Sequence, residues 1–309
     1  MGEEDYPRTL PELERRFSSE QACREYLFIL RWPEGFICPR CGGKIAWPMS
    51  RGLWKCGVCK YQVSVTSGTI FQGSHLPLTT WFRAMWYITS QKNGMSAQGL
   101  QRVLGLGSYE TAWVLLHKLR RAMVRPGRDR LKGTVEVDET YWGGDEEGVV
   151  GRLTEEKAMI IVAAEEDSKG IGRIRLRRIH DMTKASLHGF IKHAIEPGST
   201  VTTDGLNAYR GMEGYIHDRH VQRHQPEGEH LLPRVHRVVS LLKRWLLGTH
   251  QGAIGHEHLD DYLDEFTFRF NRRKSASRGK LFYRLTQHAV QIAPAPYDSI
   301  VKTQSIVVG

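Results

Sequence analysis

Gly133-Thr-Val-Glu-Val-Asp138-Glu-Thr-Tyr-Trp142 alternates β-branched or aromatic residues with polar ones, the pattern of a strand. Val135 and Val137 favour burial around Asp138, and a buried acid needs a partner or a metal. Further along, Lys157-Ala-Met-Ile-Ile-Val-Ala-Ala164 reads as a second, largely buried strand. Gly172-Arg-Ile-Arg-Leu-Arg-Arg-Ile-His180 alternates basic and apolar residues and reads as an outer strand. A helix from about Lys184 to Ile195 stops at Glu196-Pro-Gly, and Ser199-Thr-Val-Thr-Thr-Asp204-Gly205 is a short strand closing in an acid and a turn. Three strands, a helix and a fourth strand predict a mixed sheet with helices packed on it, an α+β domain.

Two acids, Asp138 in the first strand and Asp204 at the end of the fourth, can be brought side by side if their strands are neighbours. Such paired carboxylates are hard oxygen ligands suited to Mg2+ or Mn2+. Downstream, Pro233-Arg-Val-His236-Arg-Val-Val-Ser-Leu-Leu-Lys243-Arg-Trp-Leu-Leu-Gly248 predicts an amphipathic helix. His236 and Lys243 are seven positions apart, about 10 Å along the axis and about 20° around it, so they share a face. One can stand at the metals while the other reaches a phosphate; the alternative is a surface histidine and a solvated lysine. Glu265, on a helix expected from about His258 to Phe270, is a second candidate for a third acid.

The chain N-terminal to this domain carries a different chemistry. Cys38-Pro-Arg-Cys41 and Cys56-Gly-Val-Cys59 form two C-x2-C pairs on glycine-containing knuckles, with Gly42 and Gly57 supplying the turns. That spacing fits tetrahedral zinc in a ribbon. Redox dithiols or disulfides would need an oxidising compartment or a thioredoxin-like context, and neither is visible. Cys23, in an apolar stretch, reads as a buried small residue. Arg40, Lys44, Arg51, Lys55 and Lys60 give the ribbon a basic fringe. Next come a helix at Leu78–Ile88, then one capped by Ser96 and stopped by Gly105, and another from Tyr109 to about Met123, a helix-turn-helix pattern. Between Lys92 and Lys132 nine Lys or Arg face only Glu110 and Asp129, which marks Lys118, Arg120 and Arg121 as candidate DNA contacts. Arg125-Pro-Gly breaks the helix and begins a linker.

Val-Glu-Val-Asp138-Glu-Thr-Tyr-Trp-Gly-Gly, Thr-Thr-Asp204-Gly, His236 with Lys243, and Tyr262-Leu-Asp-Glu-Phe-Thr-Phe-Arg-Phe-Asn271-Arg-Arg occur in this order. Together they resemble the DDE-type insertion-sequence transposases of the insertion sequence 1595 family, over about residues 20 to 290. The resemblance implies a ribonuclease H-like catalytic domain behind an N-terminal zinc ribbon. It also implies Asp138, Asp204 and His236 as ligands of catalytic Mg2+ or Mn2+, His236 standing where other members carry Asn or Glu. Lys243 would position a phosphate. The implied activity is cleavage at element ends and strand transfer into target DNA, by at least a homodimer on double-stranded DNA. The late basic run Arg269, Arg272, Arg273, Lys274, Arg278 and Lys280 suits further backbone contact or a solvated helix end.

The expected organisation is an N-terminal region at 1–72 with the ribbon at 38–59, a helix-turn-helix region at 73–125, the ribonuclease H-like domain at 126–290 and a tail at 291–309. The chain has 44 Lys and Arg against 34 Asp and Glu, a net charge of +10, which favours a polyanionic partner. Ordinary composition, with 40% hydrophobic and 25% charged residues, excludes collagen, low-complexity disorder and a disulfide-dense toxin. The longest apolar run, Ala158 to Ala164, is far short of the roughly 20 residues of a membrane span. The acidic start Met1-Gly-Glu-Glu-Asp5 lacks a signal-peptide pattern, so a cytoplasmic, nucleoid-associated protein is expected. A zinc-ribbon regulator or a domesticated, inactive transposase is the rival, and it has no need for Asp138 and Asp204 to meet.

Overall fold

The computed structural model describes residues 4–125, 127–143, 157–168, 170–221 and 231–301. They divide into two units, Met1–Arg125 with Lys274–Gly309, and Pro126–Arg273. In chain order the first stretch holds α1 (Leu10–Arg16), α2 (Glu20–Arg31), β1 (Ala46–Pro48), β2 (Leu53–Cys56), β3 (Gln62–Ser64), α3 (Leu78–Ser90), α4 (Ala97–Leu104) and α5 (Tyr109–Ala122). The second unit holds β4 (Thr134–Trp142), β5 (Ala158–Asp167), β6 (Gly170–Ile179), α6 (Lys184–Ala194), β7 (Thr200–Thr203), β8 (Ile216–Arg219), α7 (Pro233–His250) and α8 (Leu259–Phe270). Then α9 (Arg278–Ala289) and α10 (Asp298–Val301) return to the first unit.

The first unit starts each helix with local chemistry. Thr9, Ser19, Ser96 and Ser108 cap α1, α2, α4 and α5 by accepting from amides three residues on. α3 has no such cap, and the Glu20 carboxylate of α2 accepts instead from the amides of Leu78 and Thr79, both at 3.0 Å. Gly105 ends α4 in the left-handed region at φ 63°, as its sequence position predicts. α2 buries Cys23, Tyr26, Leu27 and Leu30, one helical face. Phe17, Phe82 and Phe282 meet at centroid distances of 4.7–6.0 Å, so α9 contributes a ring to a core begun some 260 residues earlier.

That contact changes the expected boundary. The expectation placed residues 274–290 in the catalytic domain. Leu281, Phe282, Leu285 and Ala289 of α9 are instead buried in the first unit, against α2, α3 and α5. The chain leaves the second unit at Arg273. Part of the expected tail is ordered as well. Ser299 accepts from Arg121 of α5, and residues 302–309 lie outside the described residues.

The second unit is a five-stranded sheet in the order β6-β5-β4-β7-β8. β4, β5 and β6 are antiparallel neighbours, whereas β7 runs parallel to β4, and β8 parallel to β7. Three antiparallel strands followed by two parallel additions, with helices on both faces, is the ribonuclease H-like order. Alternation along β4 and β5 sorts the two faces. Val135, Val137, Ile161 and Ala163 pack under α6, while Trp142, Ile160, Val162 and Ala164 pack under α7 and α8. β6 is an edge strand, as expected, and Asn271 pairs with it: the Ile174 amide donates to its Oδ1 at 2.7 Å and its Nδ2 donates to the Ile174 carbonyl at 3.2 Å. β8 forms the other edge and escaped the sequence reading. It offers only Ile216 as an apolar residue, and that residue is exposed.

Candidate functional site

The ribbon site is drawn together by backbone turns. Gly42, with φ 71°, closes the first knuckle, and its amide donates to the Cys38 carbonyl at 2.9 Å. In the second knuckle the left-handed residue is Lys60 (φ 60°), not Gly57. Gly57 serves a different purpose, since a Cβ there would stand 2.9 Å from Ile45 Cγ2. The sulfurs of Cys38 and Cys59 are 3.7 Å apart and those of Cys41 and Cys56 3.6 Å, with all four within 4.8 Å of one another. Tetrahedral zinc with Zn–S of about 2.3 Å requires S···S of about 3.8 Å. Such crowding resists ionisation unless a cation compensates it. The Cys59 amide leads in pulling Cys56 down to about 6. Cys41, despite the Gly43 amide pulling the other way, is pushed up to about 12 by the neighbouring sulfurs. The four cysteines form a structural zinc site.

The acidic site is assembled by register. β4 and β7 pair as Thr134↔Thr200, Val135↔Val201 and Glu136↔Thr202. Asp138 lies two positions past the last pair on β4, and Asp204 lies just past the end of β7, so the pairing brings the segments that carry them together. Asp138 shares the parity of Glu136, on the α7 side of β4. Each carboxylate has one oxygen on a backbone amide: Asp138 Oδ1 accepts from Glu139 at 2.9 Å and Asp204 Oδ1 from Leu206 at 2.9 Å. Beneath them Tyr209 is fully buried and donates to the Glu139 carboxylate. Burial first, then the charges of Glu139, Asp138 and Asp204, hold its phenol well above the ordinary value. One phenol therefore lies in electrostatic reach of all three acids. Sequence reasoning missed Glu139, which stands beside Asp138 in a motif it used, and Tyr209, which lies four residues past the Asp204-Gly205 motif.

α7 lies over β4 and β5 and buries Val235, Val238, Leu242 and Leu246. Its first turn is anchored to the sheet. Glu136, only 4% exposed, accepts from the amides of Arg234 (2.7 Å) and Val235 (2.9 Å) and from the Arg234 guanidinium (2.8 Å). Arg234 also reaches Glu166 and the Gly170 carbonyl at the β5–β6 turn. At about 100° per residue, Arg234 and His236 stand on opposite flanks of buried Val235. Arg234 takes the β5–β6 flank, so His236 and Lys243 share the opposite flank of the helix. His236 is exposed and Lys243 half-buried. The ligand atoms of Asp138, Asp204 and His236 do not gather within 4.8 Å of one another. Glu265 is buried on α8, which packs against β6, two strands from β4.

The residues expected to touch DNA fare unequally. Arg120 is 1% exposed and lies 3.3 Å from the His117 ring nitrogen, so it is an interior residue of α5. It follows Leu116 by four positions and falls on the helix's buried stripe, a placement that counting charges cannot reveal. Arg121 donates to the Ser299 carbonyl at 2.8 Å. Lys118 is half-buried, and burial lowers its pKa. Arg272 and Arg273 of the late basic run donate to backbone carbonyls, Arg272 to Phe268 and Arg273 to Ile171, Gly172 and Phe270. Among the described residues no helix is long and apolar enough to cross a membrane.

A ribonuclease H-like sheet, together with a four-cysteine ribbon, defines a zinc-ribbon protein of the ribonuclease H-like class. Residues 130–271 match the ISXO2-like transposase domain, and residues 18–62 match the transposase zinc-ribbon domain. The two matches span more than half of the chain, which belongs to the insertion sequence 1595 family of transposases. It is 26% identical over 280 residues to an uncharacterized protein in transposable element ISH50 of Halobacterium salinarum, covering 82% of this chain and 92% of that one. A chain of the simian T-cell lymphotropic virus intasome, in complex with PP2A regulatory subunit B56 gamma, aligns at 17% identity and TM-score 0.34, over 69% of this chain and 75% of that one. The Mos1 strand transfer complex aligns at 13% identity and TM-score 0.27, over 68% and 75%. The fold assignment rests on strand order, not on these two similarities.

Proposed function

We propose that this transposase cuts DNA strands at the ends of its element and joins them to target DNA, acting on double-stranded DNA at the nucleoid as a dimer or higher oligomer. The observation that supports the reading is the parallel pairing of β4 with β7, next to the segments that carry Asp138 and Asp204, with both charges acting on the buried Tyr209 phenol. The donor types fit a hard divalent cation: two carboxylates, with an imidazole available from α7. Asp138 and Asp204 would hold Mg2+ or Mn2+, with His236 as third ligand. Such cations, when bound, lower the nucleophile's pKa and stabilise the leaving oxygen.

In the first step water attacks the phosphodiester at the element end, and the 3′ oxygen leaves as a hydroxyl. In the second that 3′-hydroxyl attacks a target phosphodiester, so one bond forms for each that breaks and no energy source is needed. Lys243, about 10 Å along α7 from His236, is suited to hold a neighbouring phosphate. Tyr209 holds Glu139 in place behind the pair. Arg40, Lys44, Arg51 and Lys60 are exposed around the ribbon and supply cations for the DNA backbone. The test is a strand-transfer assay with the element's terminal sequences, Mg2+ or Mn2+ and a labelled target. Joined product that disappears in Asp138→Asn supports the reading; binding without cleavage or joining removes it.

A further inference from the structure

Glu136 is a buried acid two positions before Asp138 on the same face of β4, and all three of its hydrogen bonds described above go to α7. α7 makes no side-chain cap of its own: Leu232 stands at the cap position, and Pro233 at the first helical position has no N–H. The first amides of a helix lack intrahelical partners, and here the sheet supplies the acceptor. The acceptor is tied by two peptide units to Asp138, and the amides it holds belong to the two residues before His236. Arg234 adds a second restraint. Its guanidinium bridges Glu136, Glu166 and the Gly170 carbonyl on the flank opposite His236, which opposes rotation of α7 about its axis.

A rotation of about 20° would carry a side-chain tip roughly 6 Å from the axis through about 2 Å. A displacement of about 1 Å at a reacting centre can cost about 100-fold in rate. We propose that Glu136, with Arg234, is a positioning residue that fixes His236 and Lys243 against the Asp138–Asp204 pair; this rests on the functional reading above. A carboxylate that merely stabilised the helix would need neither this place beside Asp138 nor a restraint on the far flank.

The experiment uses full-length Glu136→Gln and Arg234→Ala with zinc retained, and reads cleavage kcat, KM for DNA and Mn2+ binding by electron paramagnetic resonance. Glu136→Gln keeps the side chain's size but turns one acceptor into a donor facing Arg234. It should lower kcat by about 10–100-fold and weaken Mn2+ binding about tenfold, the range seen for groups that orient metal ligands. KM for DNA should stay within about twofold, because the ribbon is untouched. Arg234→Ala, which leaves Glu136 on the helix amides, should lower kcat by about tenfold. A folded Glu136→Gln protein with native kcat and native Mn2+ binding overturns the proposal. Should that variant fail to fold, native kcat in Arg234→Ala overturns it. An inactive wild-type protein sinks the functional reading, whereas an active wild type with native variants sinks this inference alone.

Discussion

The ribbon takes four ligands from two knuckles of one short stretch, with sulfurs paired at 3.6–3.7 Å. The proposed acidic site would take Asp138 from β4, Asp204 from beyond β7 and His236 from α7, about a hundred residues of chain. In the first site the turns themselves bring the ligands together, and the metal completes the fold. In the second, strand pairing between β4 and β7 brings the segments together, and the buried Glu136 and Tyr209 brace the chain around them. The difference teaches that local sites are built by turns and distributed sites by register. It follows that they should fail independently.

The largest expected effect tests that independence from the ribbon side. Replacing Cys56 with Ser should abolish zinc binding and unfold residues 38–65. Structural zinc contributes on the order of 10 kcal/mol of folding free energy in small domains. Hydrogen exchange should show the loss confined to the ribbon, with β4–β8 protected as before. Loss of protection across the sheet would break the comparison. From the other side, Asp138→Asn and Asp204→Asn should each lower cleavage on the order of 1,000-fold, equivalent to about 4 kcal/mol. Zinc content measured by elemental analysis should stay at one ion per chain. An active variant would show that another acid does the work.

How much of this was legible in the sequence follows the same division. The ribbon could be read from spacing alone, because its ligands are sequence neighbours. β4, β5, β6, α6, β7 and α7 were legible because alternation and helical periodicity are strong in long, half-buried segments. The side-by-side placement of Asp138 and Asp204 was an expectation that required β7 to pair with β4, and local pattern cannot supply that pairing. α9 was missed for a related reason. Phe282 is an unremarked aromatic until Phe17 and Phe82 stand beside it. Glu136 looked like one more polar position of a strand, since the amides that claim it lie 98 and 99 residues away. Arg120 looked like a DNA contact because its burial is set by packing, not by charge.

Two smaller effects sharpen the boundary between the units. Phe282→Ala should destabilise the first unit by about 3 kcal/mol or more through the cavity left beside Phe17 and Phe82. The second unit's thermal transition should not move, and a shift there would restore the expected domain end at residue 290. The smallest effect concerns Glu165, which accepts from the Lys132 and Arg173 amides and the Arg173 guanidinium. Burial alone would raise its carboxyl, but these donors outweigh it and hold the group below its ordinary value. Its contribution is therefore present above the ordinary carboxylate pKa and lost as pH falls through the lowered folded value. Glu165→Gln should cost roughly 1 kcal/mol at neutral pH, discounted for the partly exposed arginine, and should flatten the acid limb of the second unit's stability.

The central claim is that one chain carries two separate cation sites, a sulfur site for structure and an oxygen site for chemistry. Mn2+ titration by electron paramagnetic resonance, on full-length protein with zinc already bound, tests it most directly. The account predicts that wild-type protein binds Mn2+, that Asp138→Asn and Asp204→Asn each weaken that binding at least tenfold, and that all three proteins keep one zinc per chain. Equal Mn2+ binding in wild type and both variants would contradict it.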